Sequence, residues 1–281
     1  MTRTLLSIGH GYAASTAIAA LPPGWRILAT TRDPARAESF AAQGLEPVLW
    51  TGPDALAAAL AEASHAITSI APGAEGDPAL AALADAPAPR LRWLGYLSAS
   101  SVYGNSDTEW LTDHAPANPG TERGRARLAA EDAWAVWCAA RGVGLARLRI
   151  AGIYGPGRSV FDQLARGTAR KIIKPGQVFN RIHVADLGAI IAAAATQEAT
   201  GPIIAADGQP APPQDLLDHA CRLLGLPLLP PQPYETAKLS PMSRSFYSEN
   251  KRLRPCRLDE LGVQLVYPSW REGLAALRPG S

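Results

Sequence analysis

Apolar residues fall along this chain in short, nearly continuous runs separated by longer amphipathic stretches. Runs over 4–8, Trp25 to Thr30, His65 to Ile70, Leu94 to Leu97 and Leu145 to Ile150 have strand length and are largely apolar. Strands of that kind are buried on both sides, as in a parallel sheet. Helices are predicted over Pro34 to Gln43, Asp54 to Ala63, Asp77 to Ala86 and Thr121 to Ala140, with Gly44 closing the first of these, and Glu46 to Leu49 adds a strand. Strand and helix alternate throughout. The pattern predicts the α/β class, a doubly wound parallel sheet with helices on both faces.

Past Ile150 the rhythm loosens. Segments rich in Pro and Gly, Gly152 to Gly157, Lys174 to Gly176, Gly208 to Pro213 and Leu226 to Pro233, separate shorter elements. Val184 to Ala195 reads as one more helix and Pro202 to Ala206 as a strand returning to the main sheet. The division expected is a sheet domain at 1–167 and 181–206, and a small C-terminal lobe at 168–180 and 207–281.

The first strand runs into Ser7-Ile8-Gly9-His10-Gly11-Tyr12-Ala13-Ala14. In a dinucleotide phosphate cradle the first glycine turns tightly out of the strand. The second lets a pyrophosphate approach the backbone, and a small third residue lets the helix pack closely. Gly9, Gly11 and Ala14 meet that requirement, and His10 and Tyr12 lie in the same loop, His10 directed at solvent or phosphate. An NAD-binding chain offers Asp or Glu at the end of the second strand for the ribose 2′-hydroxyl. Here Thr30-Thr31-Arg32 stands in that place, and Asp33 reads as the cap of the helix opened by Pro34. Two hydroxyls and a guanidinium suit a 2′-phosphate, so Thr31 and Arg32 favour NADP over NAD. Ser69 and Ala71, in the turn after the strand ending near Ile70, are expected on the same crevice.

Composition narrows the partners. The 281 residues are 47% hydrophobic, which supports a sizeable core, and the net charge of +2 is spread without a basic stripe or tail. A small-molecule substrate is the expected partner, neither nucleic acid nor membrane, with a homodimer left open as the assembly. Cys138, Cys221 and Cys256 are odd in number and far apart, which predicts no disulfide frame, no metal site, and buried or neutral thiols. The start, Met1-Thr2-Arg3 and an apolar stretch to Leu21, is interrupted by the glycine loop and lacks a cleavage site, so a soluble cytoplasmic protein is expected.

Leu97-Ser98-Ala99-Ser100-Ser101-Val102-Tyr103-Gly104 lies at the carboxyl end of a buried strand, where ligands of open parallel sheets bind. Together with Arg149-Ile150-Ala151-Gly152-Ile153-Tyr154-Gly155-Pro156-Gly157-Arg158 and Arg181-Ile182-His183-Val184-Ala185-Asp186, it resembles the successive signatures of the extended short-chain dehydrogenase/reductase superfamily. The NAD-dependent epimerase/dehydratase branch is the nearest match, and the resemblance runs from Thr4 through Asp186, with a weaker continuation over 251–274. It implies a Rossmann-type NAD(P)-binding fold, a loop around Tyr154 beside the nicotinamide, and a His183 to Asp186 stretch docking the lobe onto the sheet. His183 and Asp186 themselves read as a helix start and a packing histidine.

The family's chemistry uses a Ser or Thr three residues before the Val of Val-Tyr-Gly, then Tyr-x-x-x-Lys on the long helix. Those positions here hold Ala99, Arg123 and Arg127. Arg127 keeps a charge for ribose or phosphate, while Arg123 cannot act as acid or base because guanidinium keeps its proton. The remaining hydroxyl candidates for catalysis are Tyr103, Ser98 and Ser100. Arg123, Arg158 and Arg181 are candidates for an anionic substrate. On an alternative reading, Arg123, Arg125 and Arg127 form a solvated face partnered by Glu122 and Glu131. The function expected is an NAD(P)-dependent oxidoreductase or epimerase-like enzyme; the alternative is a non-catalytic NAD(P)-binding sensor or scaffold, and a third possibility has no cofactor.

Overall fold

The computed structural model describes residues 3–280; Met1 and Thr2, the start of the apolar N-terminal stretch, lie outside them. Its first half alternates strand and helix: β1 (Arg3–Ile8), α1 (Tyr12–Ala19), β2 (Trp25–Thr31), α2 (Pro34–Ala42), β3 (Glu46–Leu49), α3 (Pro53–Glu62), β4 (His65–Thr68), α4 (Pro78–Ala82) and β5 (Trp93–Ala99). A 3-10 turn at Ser100–Tyr103 and a short β6 (Trp110–Leu111) precede the long α5 (Glu122–Ala139) and β7 (Gly144–Ile150). The second half holds β8 (Gly152–Tyr154), α6 (Val160–Ala165), β9 (Lys171–Ile173), β10 (Arg181–His183), α7 (Val184–Gln197), β11 (Gly201–Ala205), α8 (Pro213–Leu224), β12 (Pro231–Pro233), α9 (Pro241–Phe246), β13 (Arg252–Leu253) and α10 (Trp270–Ala276).

Seven strands form one parallel sheet in the order β3-β2-β1-β4-β5-β7-β11. Chain direction around the sheet reverses between β1 and β4. A crevice therefore opens beyond their carboxyl ends, which is where such sheets bind ligands.

Side chains alternate across the strands and build a core on each face. Leu5, Ile67, Leu148 and Ile203 pack with Leu187, Ile190 and Ile191 of α7. Leu6, Ile8, Leu94 and Tyr96 pack with Leu56 and Leu60 of α3 and with Trp134 and Trp137 of α5. Gly188 sets the spacing of α7 against α1, since a Cβ there would lie 2.8 Å from the Thr16 carbonyl oxygen. A third cluster joins Tyr154, Val160, Phe161, Leu217, Cys221, Trp270 and Leu274, so α6 packs with α8 and α10 rather than on the sheet.

Local sequence explains most helix starts. Asp33 caps α2 by accepting from the Ala35 amide at 3.0 Å, and Asp77 caps α4 by accepting from Ala79 and Leu80. The segment Gly208 to Pro213, read as a linker, ends by opening α8, because Pro213 at its first position needs no amide hydrogen there. α4 is shorter than its sequence pattern, ending at Ala82 instead of Ala86.

The C-terminal segment returns to the sheet's edge. Both oxygens of the fully buried Asp113 accept backbone amides, Oδ1 from Ile204 of β11 at 2.6 Å and Oδ2 from Cys256 at 2.7 Å. Arg257 donates to the carbonyls of Thr200 and Pro202 at 2.7 and 3.0 Å. Cys138 and Cys221 are buried and Cys256 is exposed. Among the described residues no helix is long and apolar enough to cross a membrane, and no cluster of metal-ligating side chains occurs.

Candidate functional site

The glycine loop sits at the crevice between β1 and β4. Gly9 has φ +78°, and a Cβ there would meet Ile70 Cγ1 at 2.8 Å, so both conformation and space demand glycine. Its carbonyl accepts a short hydrogen bond from the Ser69 hydroxyl. Gly11 caps α1 without a side-chain bond, and no acidic residue occupies the first turn. The amides of Gly11, Tyr12, Ala13 and Ala14 have no acceptor among the described residues, since Ser15 makes the first helical bond, to the Gly11 carbonyl. A pyrophosphate fits that array of free N–H groups at the positive end of the helix dipole.

Several expected contacts are reassigned. The His10 side chain turns inward, sharing a 3.1 Å hydrogen bond with Ser7 Oγ and packing edge-on to Phe40, so only its backbone stays in the loop. Burial and the nearby Arg36 lower its pKa. Neither threonine hydroxyl at the end of β2 is free. Thr30 Oγ1 accepts from the Gly9 amide at 2.9 Å, and Thr31 Oγ1 accepts from the Asp33 amide at 3.1 Å. Arg32 is exposed and has no partner among the described residues, which leaves the guanidinium as the available group. Arg36, which was not among the expected contacts, donates to the His10 carbonyl at 2.9 Å and lies over the Phe40 ring. Ala71 is exposed on the β4 side. Tyr12 bridges the crevice, its hydroxyl donating to the Pro156 carbonyl at 3.0 Å.

On the β5 side, the polar groups nearest in sequence to the expected catalytic positions are structural. Ser98 Oγ donates to Glu131 Oε1 at 2.6 Å; Glu131 is fully buried and receives Arg149 through Nη2 at 2.8 Å and Nε at 3.2 Å. Arg149 lies over the Tyr103 ring at 4.8 Å, and the Tyr103 hydroxyl, buried and outside the cleft, donates to the Asp113 carbonyl at 3.4 Å. Burial raises the pKa of Tyr103. Ser98, which also lines the cleft, and Tyr103 thus belong to a buried charge network, which Arg149 in a strand expected to be buried could have signalled. Ser100 lines the cleft beside Ala99 and Ser101.

The three arginines of α5 do not form one solvated face. Arg127 is buried and donates Nη1 to the Tyr96 hydroxyl at 3.1 Å and the Leu97 carbonyl at 3.3 Å, away from the cleft lining. Glu131 serves Arg149 rather than a helix neighbour, and Arg125 donates to the Gly120 carbonyl. Arg123 is exposed on the cleft wall with its guanidinium over Phe246 at 5.3 Å. Tyr154 lines the cleft. Its hydroxyl is buried without a partner against α10, where a Cβ on Gly273 would come within 2.0 Å of it, and burial raises its pKa. His183 caps α7 by accepting from the Ala185 amide, and Asp186 accepts from the amides of Val266 and Tyr267.

A cleft of about 1010 Å³ extends from the ends of β5 and β7 under the segments 158–170, 178–181 and 238–251. Its cations are Arg123, Arg158, Arg166, Arg170, Arg181, Lys238 and Lys251, against one carboxylate, Glu249, which pairs with Lys251 at 2.7 Å. A chain of net charge +2 therefore concentrates positive charge at one concavity, which focuses the field on anions. Sequence reading found three of these cations. The others, Arg166, Arg170, Lys238 and Lys251, are scattered outside the signature motifs, and their spacing gives no hint that they converge.

No protein-family model matches the chain. A solved structure of a conserved, functionally unknown protein from Silicibacter pomeroyi DSS is 45% identical and superposes with a TM-score of 0.86, covering 99% of this chain and 98% of that one. Human epimerase family protein SDR39U1, solved with NADPH, superposes with a TM-score of 0.75 at 18% identity over 99% of this chain and all of that one. A 3-diazoavenalumate denitrifying reductase from Streptomyces sp is 32% identical over 145 residues, a match that spans 45% of this chain and 45% of that protein. The chain shares the fold of the human epimerase family protein SDR39U1, and it belongs to one family with the Silicibacter pomeroyi protein.

Proposed function

We propose that the protein is an NADP-preferring oxidoreductase acting on a small anionic molecule held in the cationic cleft. The observation that carries the cofactor preference is the end of β2. Asp33 is committed to capping α2, both threonine hydroxyls are used, and Arg32 is exposed with no partner among the described residues. The free amides from Gly11 to Ala14 would hold the pyrophosphate, and Arg32 with Arg36 would hold the 2′-phosphate. When bound, a reduced nicotinamide supplies hydride. Arg123 at the family's tyrosine position keeps its proton, so it can steady an oxygen anion but not protonate it. Protons for the reaction then come from water or from the substrate itself. Reduction of an acid anion also agrees with the partial relative, whose name gives it as a reductase of a diazo-substituted carboxylate.

A second reading, a non-catalytic NADP sensor, is favoured by the loss of any hydroxyl or ammonium at Ala99, Arg123 and Arg127. Thermal-shift titration with NADP, NADPH, NAD and NADH tests the cofactor. Stabilisation follows ligand concentration over Kd, reaching about 2.7 kcal/mol at a hundredfold excess over Kd. The phosphorylated pair is expected to stabilise at lower concentration than NAD and NADH. Equal stabilisation by all four removes the preference, and none by any of them removes both readings. NADPH binding without loss of the nicotinamide absorbance across a panel of organic acids favours the sensor.

A further inference from the structure

Arg181 and Lys251 are the buried cations of the cleft, 7% and 9% exposed, but Lys251 pairs with Glu249 whereas, among the described residues, Arg181 has no carboxylate within ion-pair distance. It is held at the edge of β10 by Nη1, which donates to the carbonyls of Phe179 at 3.0 Å and Ala211 at 3.4 Å. Nε and Nη2 have no acceptor among the described residues, and no carboxylate comes within ion-pair distance. Burial lowers its pKa to about 10. The nearest acid, Asp207, is itself pushed up to about 7 by burial and leaves Oδ2 without a partner, so it offsets the guanidinium only in part. Elsewhere in the fold the buried Arg149 is satisfied by both oxygens of Glu131, whereas the buried Arg127 bonds through Nη1 alone, to the Tyr96 hydroxyl and the Leu97 carbonyl. A buried cation with three of its five donors free, on a residue that lines a cavity, is costly unless an anion completes it.

Aromatic surface adjoins this corner. Phe179 and Tyr247 line the cleft with ring centroids 5.1 Å apart, edge to face. The Tyr247 hydroxyl makes no hydrogen bond among the described residues, and the Arg181 charge acts on it. A guanidinium edge matches a planar monoanion with two oxygens, whereas a phosphate dianion would bury a second charge against one cation. An aromatic wall rewards a flat conjugated body.

We propose that this corner is a carboxylate subsite for a flat aromatic or conjugated acid, its carboxylate on Arg181 Nε and Nη2 and on the Tyr247 hydroxyl, its ring against Phe179. This rests on the reading of the cleft as a substrate site and names the class of substrate.

The test is calorimetric titration of the full chain, without cofactor, using cinnamate, cinnamamide and inorganic phosphate. Cinnamate is expected to bind and the other two are not. Arg181→Gln should weaken cinnamate by about 30-fold or more, the scale for losing one partner of a buried charge pair. Tyr247→Phe keeps the ring and should weaken it by several-fold, which covers the case of an Arg181 variant that does not fold. Equal binding of cinnamate and cinnamamide, no binding of cinnamate, stronger binding of phosphate, or undiminished binding by both variants overturns the subsite. Thermal shifts with NADP are recorded in parallel. NADP stabilisation without cinnamate binding defeats the subsite alone, and cinnamate binding without NADP stabilisation defeats the cofactor reading while supporting the subsite.

Discussion

The two sides of the crevice are built on different principles. On the β1–β2 side the groups offered to a ligand are backbone amides, made available by small residues at Gly9, Gly11 and Ala14. On the β5–α5 side the backbone is covered and side-chain charge dominates, with Glu131, Arg149 and Arg127 buried and Arg123 at the wall. A site made of backbone geometry depends on the absence of side chains, at Gly9 even of a Cβ. A site made of side chains depends on a few identities.

Removing Glu131 puts the greatest strain on this contrast. Glu131→Ala leaves Arg149 buried and unpaired, and should cost about 3–5 kcal/mol, read as a fall in the denaturant midpoint. Pairing it with Arg149→Met should recover part of the loss; no recovery would mean that charge does not govern this side. Gly9→Ala comes next, with a positive φ and a Cβ 2.8 Å from Ile70. A loss of about 1–3 kcal/mol in thermal unfolding is expected, with NADP stabilisation abolished. Retained NADP stabilisation would show that the cradle tolerates a side chain. Arg32→Ala should raise the NADP Kd by about tenfold, a 1.4 kcal/mol effect, and leave NAD unchanged; equal losses would place the discrimination elsewhere. The smallest effect belongs to Asp33→Ala. Loss of the α2 cap should cost about 1 kcal/mol without altering the ratio of NADP to NAD affinity. A shift toward NADP would reveal Asp33 as a ribose contact.

The sheet was legible because fully buried strands leave nearly unbroken apolar runs, and β3, with Glu46 and Leu49 as its ends, is read to the residue. α8 was not, since Pro212-Pro213 reads as a linker until a proline at the first helical position is seen to be favourable. At the site, the glycine loop was legible because conformation and residue type are tied together there. The partners of Ser98, Thr30 and Thr31 were not. Each hydroxyl is claimed by a group 33, 21 or 2 residues away, and sequence shows which hydroxyls lie near a cleft but not which are already bonded. Arg181 sits within a recognisable motif, yet its half-satisfied burial is visible only in three dimensions.

An open sheet invites a neighbour at its last strand, because edge amides and carbonyls are a template for another chain. β11 is that last strand, and it is closed by two side chains instead of a partner strand. Asp113 takes the Ile204 amide, and Arg257 takes the Thr200 and Pro202 carbonyls. The chain's closing segment thus works as a gasket. It seals the border from which aggregation by strand addition would spread, and a truncation that removed Arg257 would be felt first as stickiness rather than as loss of the sheet.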